Sequence, residues 1–164
     1  REAFDANFSL VEYVDADGAR ESLLQAPEGT TKEEFERRLD SVERLAGIFG
    51  LALEVDPYDH DGWRGAVAGF ESEPERGLRC PLCFGWSLGR TAGRAAALGA
   101  NFATTLTVSP HKPSRVIFET ASIWKHFEPW DFKKKDGFKR SLELSKQYCF
   151  YRQNFCGCEF SFRG

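Results

Sequence analysis

Apolar residues recur at helical spacing along two long stretches of the chain, and each stretch has a recognisable end. The first begins at Thr31, where Glu34 three residues later completes a capping box, and it stops at Gly50. The second runs over Cys80–Leu98 and is closed by Gly99, the residue type that most often follows a helix. The pattern therefore predicts two long amphipathic helices.

Three segments rich in β-branched and apolar residues are predicted to be strands. They are Phe8–Val14, Leu51–Val55 and Phe102–Val108, and the second is expected to be buried. Between the first strand and the first helix, Asp15–Thr30 is rich in Asp, Gly, Ala and Pro, which predicts a long exposed loop. The tail Phe150–Phe162 is aromatic, and we expect it to be partly extended.

Three further helices are predicted over shorter apolar patterns, namely Gly62–Gly69, Ile117–Trp124 and Gly137–Lys146. Strands that alternate with helices are typical of an α/β domain with right-handed crossovers. At 164 residues the chain is long enough for one ordinary domain. We therefore expect a single three-layer α/β domain, over residues 1–164, with a mostly parallel, Rossmann-like sheet.

Composition excludes some classes of protein and leaves others open. The formal net charge is only −3, so charge alone indicates no particular partner. No apolar run approaches the roughly 18 residues of a membrane span, and no signal-peptide pattern is present. The cysteines are odd in number and lie mostly in close pairs, which fits a reducing compartment better than a disulfide framework. We expect a cytoplasmic protein without a membrane segment.

The four paired cysteines are the strongest chemical signal in the sequence. Cys80 and Cys83 have the two-residue gap that lets both sulfurs reach one metal or each other, at a predicted helix start that favours thiolate. Cys156 and Cys158 form a tighter pair. Their spacing leaves three interpretations open: a structural zinc site of four thiolates, an iron–sulfur cluster, or a metal-free redox dithiol. Cys149, between aromatic residues, is interpreted as a small buried hydrophobe.

A second signal is a run of five cations with one carboxylate over Phe132–Arg140. Interleaved phenylalanines and the nearby Trp130 offer rings on which unpaired bases could stack. A solvated loop and helix face is the alternative interpretation. The cations are Lys133, Lys134, Lys135, Lys139 and Arg140.

His111 is the histidine best placed to act in catalysis. It follows the predicted strand Phe102–Val108, at the edge where α/β sheets usually bind ligands. His60 and His126 are expected to be surface residues. The sequence has no dinucleotide loop, Walker loop, nucleophile elbow or zinc-protease helix, so simple nucleotide hydrolysis and serine hydrolase chemistry have no support.

Several ordered blocks of the chain together resemble the QueH family of epoxyqueuosine reductases. The resemblance covers about Thr31–Phe162 and implies an enzyme that reduces the epoxide of epoxyqueuosine, at the wobble position of tRNA, to queuosine. The tRNA anticodon loop is then the partner of the basic run. The blocks that carry the resemblance are Glu33–Arg38, Arg79–Phe84, Phe102–Lys112, Phe132–Lys135 and Tyr151–Cys158.

The resemblance also divides the cysteines into two roles. It implies that Cys80 and Cys83 supply two ligands to a [4Fe-4S] cluster, and that Cys156 and Cys158 are a redox-active pair. We expect His111 to be the acid near the leaving oxygen. The electron donor is not identified by the sequence.

Members of the family begin with a strand that ends in an adjacent Cys-Cys pair, which this sequence lacks. Because the chain starts at Arg1 and contains no methionine, we expect a truncated chain without its first strand. The competing interpretation is a zinc-stabilised, non-catalytic module that binds RNA, with all four paired cysteines on one metal.

Overall fold

The computed structural model describes residues 9–14, 20–25 and 31–161. Within these ranges the chain forms five α-helices, three strands and two short 3-10 helices, so it is a mixed helix and strand protein with little strand. The strands are β1 (Ser9–Val14), β2 (Arg20–Gln25) and β3 (Ala52–Val55). The helices are α1 (Lys32–Phe49), α2 (His60–Ala66), α3 (Arg79–Ala97), α4 (Ser114–Ala121) and α5 (Gly137–Gln147), and the 3-10 helices are Thr105–Val108 and Glu159–Ser161.

The three strands pair in the order β1-β2-β3. The β1 and β2 strands are antiparallel, whereas β2 and β3 are parallel. The described residues therefore do not confirm a mostly parallel, Rossmann-like sheet, which stays a prediction. The β2 strand lies inside Asp15–Thr30, so the loop prediction is wrong for Arg20–Gln25, and the rest of that stretch lies outside the described residues.

The α1 helix confirms the first long helix that the sequence predicts. The Thr31 side chain accepts a hydrogen bond from the Glu34 backbone N–H at 3.3 Å. At the other end, Gly50 adopts a left-handed conformation with φ 63°, which a side chain would disfavour. The face of α1 that carries Phe35 and Val42 is buried.

The α3 helix confirms the second long helix and forms one side of the main core. Leu88 and Ala95 are fully buried on its inner face. They belong to a cluster with Phe102 and with Ile117 of α4. This packing fixes the start of α3, where the first cysteine pair lies.

The strand predicted over Phe102–Val108 is wrong. Phe102 makes one isolated bridge to Phe127, and the chain then turns into the 3-10 helix Thr105–Val108. The Thr104 hydroxyl accepts from the Leu106 N–H at 3.2 Å, and the Thr107 hydroxyl donates to the Trp130 carbonyl at 2.8 Å. Local hydroxyl contacts of this kind compete with a strand ladder, although the residue types favour strands.

The shorter helices are confirmed as α2, α4 and α5, with ends that differ by a few residues from those predicted. The strand β3 is also present, but its residues are exposed or half-buried, so the prediction that it is buried is wrong. It ends the three-stranded sheet of the described residues. The described part of the tail has no strand and finishes in Glu159–Ser161.

Candidate active site

Cys80 and Cys83 lie in the first turn of α3, three residues apart and therefore on one side of the helix. The Cys80 sulfur accepts a hydrogen bond from the Arg76 backbone N–H at 3.2 Å. The Cys83 sulfur accepts one from the indole Nε1–H of Trp63 at 3.3 Å. Trp63 is fully buried, so this donor is held in place by the core.

Burial outweighs the helix start in setting the acidity of this pair. Loss of solvent raises the pKa of Cys83 to about 11 and also raises the pKa of Cys80. The expectation that the helix start favours thiolate is therefore wrong for these two side chains. Their sulfurs would be held as thiolates only when a cation or cluster compensates the charge, which suits ligands better than free nucleophiles.

Cys156 and Cys158 face each other across Gly157, a buried residue with φ 100° that favours glycine. The Cys158 backbone N–H donates to the Cys156 sulfur at 3.4 Å. The hydroxyl oxygen of Ser161 lies 2.9 Å from the same sulfur. Both cysteines are free thiols in the structure, with no disulfide between them.

The two thiols of this pair have opposite acidities. A hydrogen bond from the Cys158 side chain is the main cause that lowers the pKa of Cys156, to about 5, and Ser161 and Lys112 act in the same direction. The pKa of Cys158 is raised because its proton is held by Cys156. The pair is thus arranged as one thiolate beside one protonated thiol, the state in which Cys156 is nucleophilic and Cys158 carries a proton.

A cavity of about 300 Å³ opens beside the Cys156 thiol. Its wall brings together two residues that the sequence predicts for catalysis, Cys156 and His111, although they are far apart along the chain. Lys112 lies in the same wall and is buried. A carboxylate, a hydroxyl, apolar rings, amides and a guanidinium complete the lining, from Glu75, Ser109, Phe138, Phe155, Gln153, Asn154 and Arg152.

Arg76 links the neighbourhood of the first cysteine pair to the cavity. Its backbone lies in the left-handed region with φ 69°, which is uncommon for a residue with a side chain. Its guanidinium Nε donates to the His111 carbonyl at 3.2 Å, and a terminal nitrogen lies 3.4 Å from His111 Nδ1. No sequence pattern marks this residue, because its role depends on a loop conformation.

Helix α1 holds the segment that carries Cys156 and Cys158. Arg38 is only 1% exposed, and its Nε donates to Glu34 Oε1 at 2.7 Å. The Tyr151 hydroxyl donates to Glu34 Oε2 at 2.9 Å. The Arg38 guanidinium also lies over the Phe155 ring, 5.6 Å from its centroid. Sequence reasoning missed this contact. The signal for it was a charged pair, Glu34 and Arg38, on the buried face of the predicted amphipathic helix.

A second buried arginine, Arg79, fixes the loop before α3. One of its terminal nitrogens donates to the carbonyl oxygens of Phe70, Glu71 and Glu73. Its guanidinium lies 5.4 Å from the centroid of Phe160, two residues beyond Cys158. One side chain thus contacts segments that flank both cysteine pairs.

The basic run divides into one internal cation and four external ones. The Lys133 ammonium donates to the Lys112 carbonyl at 2.9 Å and to the Ser114 hydroxyl at 2.7 Å, so it serves as an internal connector. The others are exposed, and Phe138, between two of them in sequence, lines the cavity. The four exposed cations flank Phe138 in sequence, and they are Lys134, Lys135, Lys139 and Arg140.

One minor prediction is wrong, since Cys149 is exposed and not buried. His60 and His126 are half-buried, with part of each side chain at the surface. His60 stacks on the Trp63 ring with centroids 5.6 Å apart, and its Nε2 lies 3.4 Å from Glu159 Oε2.

The model of the family described as epoxyqueuosine reductase QueH matches residues 10–164. The chain belongs to this family. It is similar to the epoxyqueuosine reductase QueH of Streptococcus pyogenes serotype M1, at 37% identity over 143 residues, which are 79% of this chain and 56% of the relative. The chain thus spans little more than half the length of that relative.

Two further members of the QueH family show the same range of similarity. The relative from Acinetobacter baylyi is 37% identical over 139 residues, 80% of this chain and 63% of the relative. The relative from Thermotoga maritima is 32% identical over 139 residues, 78% of this chain and 71% of the relative. These matches confirm the family that the motif blocks indicate.

The sulfurs of Cys80 and Cys83 fit part of the ligand set of the [4Fe-4S] cluster that the resemblance to QueH implies. Cys80 and Cys83 present two sulfurs on one helix turn, and each accepts an N–H, as cluster-bound thiolates commonly do. Over residues 9–14, 20–25 and 31–161, no group of three or more His, Cys, Asp or Glu side chains is placed to hold a metal. The family match does not favour the competing interpretation of a zinc-stabilised, non-catalytic RNA-binding module.

None of the helices that the structure describes is both long enough and apolar enough to cross a membrane.

Proposed function

We propose that the chain is the catalytic part of an epoxyqueuosine reductase, which reduces the epoxide of epoxyqueuosine in tRNA to the alkene of queuosine. Family membership supports this reaction, and the relatives bear its name. The observation that carries the proposal is the cavity wall that unites Cys156 with His111. Because tRNA is the proposed substrate, we place the protein in the cytoplasm.

The cysteine pair next to the cavity supplies what the reaction consumes. Removal of an epoxide oxygen as water requires two electrons and two protons. Oxidation of Cys156 thiolate and Cys158 thiol to a disulfide releases two electrons and one proton, and the second proton comes from solvent. The low pKa of Cys156 keeps it in the thiolate form that begins such a step.

Two cavity residues act on the oxygen that leaves. His111 is proposed to stand near that oxygen, and Lys112 adds positive charge where negative charge develops. Phe138 and Phe155 offer apolar surfaces for the base or its ring substituent. All four of these residues lie in the cavity wall.

Cys80 and Cys83 are proposed to hold two irons of a [4Fe-4S] cluster, with other ligands supplied from outside the described residues. When bound, the cluster would supply single electrons that return the disulfide to the dithiol. The N–H groups of Trp63 and Arg76 orient the two sulfurs. An electron donor is required, and the chain does not identify it.

The exposed cations Lys134, Lys135, Lys139 and Arg140 are proposed to bind phosphates of the anticodon stem-loop. Phe138 of the same segment lines the cavity, so tRNA held by these cations would bring the wobble base towards Cys156. Lys133 is assigned a supporting role, since its ammonium is already engaged by Lys112 and Ser114.

The test is the conversion of epoxyqueuosine to queuosine in tRNA, followed by nucleoside mass spectrometry on protein purified without oxygen. The test uses an extended form, in which the Cys-Cys pair expected from the family resemblance precedes the chain, and its iron and acid-labile sulfide are measured in the same preparation. We expect Cys156→Ser to reduce the rate at least 100-fold, because the thiolate is lost. Cys149→Ser, the exposed control, should retain activity. If Cys156→Ser converted epoxyqueuosine to queuosine at the unchanged rate, the role given to the Cys156–Cys158 pair would be excluded.

A further inference from the structure

Arg76 makes three contacts that converge on the candidate site, although it is an exposed residue. Its backbone N–H meets the Cys80 sulfur, and its side chain meets both the carbonyl and the ring of His111. The left-handed backbone at φ 69° is what allows one residue to serve both neighbours. Uncommon conformations of non-glycine residues concentrate at functional sites.

The contact with the ring determines which nitrogen of His111 carries hydrogen. A guanidinium has five N–H donors and no acceptor, and it does not lose its proton in proteins. The nitrogen that Arg76 meets, Nδ1, must therefore accept, which requires its lone pair. A neutral imidazole with a lone pair on Nδ1 carries its hydrogen on Nε2.

We propose that Arg76 is a positioning residue that holds His111 as the neutral Nε2–H tautomer, so that His111 donates a hydrogen bond to the epoxide oxygen from Nε2. The role at the oxygen rests on the proposed reductase function, whereas the tautomer does not. A neutral imidazole that polarises an oxygen in this way is an established catalytic pattern.

This assignment refines the source of the protons. A neutral His111 keeps its Nε2 hydrogen, so it stabilises the negative charge on the opening oxygen without being consumed. The protons that complete water are then those of the Cys158 thiol and of solvent. The balance is unchanged: the C–O bonds break, the alkene and water form, and the dithiol becomes a disulfide.

The tautomer is measured directly by ¹⁵N NMR of histidine-labelled chain at about pH 7.5, where two-bond correlations distinguish Nδ1–H from Nε2–H. His111→Gln assigns the signal among the three histidines. We expect His111 to be the Nε2–H form. Arg76→Met should lower the ratio of the Nε2–H to the Nδ1–H form of His111 about tenfold, because it removes one charged hydrogen bond.

Two variants separate this role from a general effect on the loop. Arg76→Lys keeps a donor and should restore most of the ratio. Arg152→Met removes another arginine of the same cavity wall and should leave the tautomer of His111 unchanged. An imidazolium or Nδ1–H form of His111 in the unmodified chain, or a ratio unaffected by Arg76→Met, would overturn the proposal.

Kinetics of the extended form test the role at the oxygen. Arg76→Met should lower kcat about tenfold and leave KM for tRNA within about twofold, because the contact acts on the reacting oxygen and not on tRNA binding. A shifted tautomer with unchanged kcat would overturn the catalytic role and leave the reductase function standing. If the extended form reduces no epoxyqueuosine, the proposed function fails, and the NMR result alone decides the tautomer.

Discussion

At the scale of single residues, acidity separates the two cysteine pairs. Cys80 and Cys83 sit at a helix start, yet burial raises their pKa values. Cys156 is half-buried, yet hydrogen bonds from Cys158 and Ser161 lower its pKa to about 5. The spacing of cysteines in the sequence identifies both pairs, but only the local donors reveal which thiol is ionised.

The lowered pKa of Cys156 predicts rapid alkylation in mildly acidic solution. Since its thiolate predominates above about pH 5, its rate with iodoacetamide should stay nearly constant from neutral pH down to about pH 6 and fall below pH 5. Mass spectrometry of labelled peptides measures the rate at each cysteine.

The matched change is Cys158→Ala, which removes the main donor to the Cys156 sulfur. The pKa of Cys156 should rise, so that its rate at about pH 6 falls at least tenfold, one factor of ten for each pKa unit. If Cys156 of the chain without substitutions already lost its reactivity between about pH 9 and pH 7, the lowered pKa of Cys156 would be contradicted.

At the scale of elements, α1 is the support of the tail that carries the second pair. Glu34 and Arg38 form a buried ion pair, and the Tyr151 hydroxyl joins it from the tail. The side chain of Ser41 accepts from the Tyr151 N–H at 3.1 Å. A helix that the sequence predicts as a core element therefore also positions a site more than 100 residues away.

Removal of Arg38 should be strongly destabilising. Arg38→Met removes the buried ion-pair partner of Glu34, which keeps only the exposed Arg37 at 3.6 Å and the Tyr151 hydroxyl. We expect a loss of about 3 kcal/mol in the free energy of unfolding in urea. The control is Arg115→Met, which breaks the exposed pair with Glu119 and should change stability by less than about 1 kcal/mol.

The double variant Arg38→Met with Glu34→Gln removes both charges and should recover part of the loss, because no buried carboxylate then lacks its buried partner. Equal losses in Arg38→Met and Arg115→Met would show that the buried pair does not support the tail.

Elements with local signals were predictable, whereas those set by distant partners were not. Thr31 and Gly50 mark the ends of α1 in the sequence, and both act as caps in the structure. The β2 strand exists through pairing with β1 and β3, which no local pattern reveals. Thr107 lies in a segment with strand-forming residues, but its hydroxyl bonds the Trp130 carbonyl and the chain curls instead.

The candidate site shows the same division. Cys156 and His111 were predicted, and the structure brings both to one cavity. Arg76 and Arg38 were not predicted, because a left-handed loop residue and a buried arginine acquire meaning only from their neighbours.

At the scale of the whole molecule, a net-acidic protein carries a run of exposed cations on the segment that also contributes to its cavity wall. Phe138 of α5 lines the cavity, and Lys139 follows it in sequence. A Cβ at Gly137 would collide with the Phe132 carbonyl oxygen, so the turn into α5 requires glycine there. The turn therefore fixes where the cations stand relative to the cavity.

The salt dependence of tRNA binding tests these cations. Changing Lys134, Lys135 and Lys139 together to Gln should flatten the slope of log affinity against log salt by about 2, if each lysine neutralises one phosphate. Filter binding of tRNA at several salt concentrations measures the slope.

The control changes three exposed lysines elsewhere, Lys32, Lys125 and Lys146, to Gln and should leave the slope within error. If both triple variants changed the slope equally, the basic run would contribute only through the net charge of the protein. If the variant at Lys134, Lys135 and Lys139 left the slope unchanged, these lysines would be solvent-exposed residues without a role in tRNA binding.

The most direct test of the reductase account is a single turnover without an external electron donor. The extended protein, reduced and freed of reductant under anaerobic conditions, is mixed with excess tRNA that contains epoxyqueuosine, and both products are quantified by mass spectrometry. We expect about one queuosine per active chain, with an equal amount of disulfide between Cys156 and Cys158. Queuosine formed while both cysteines stay reduced would contradict it.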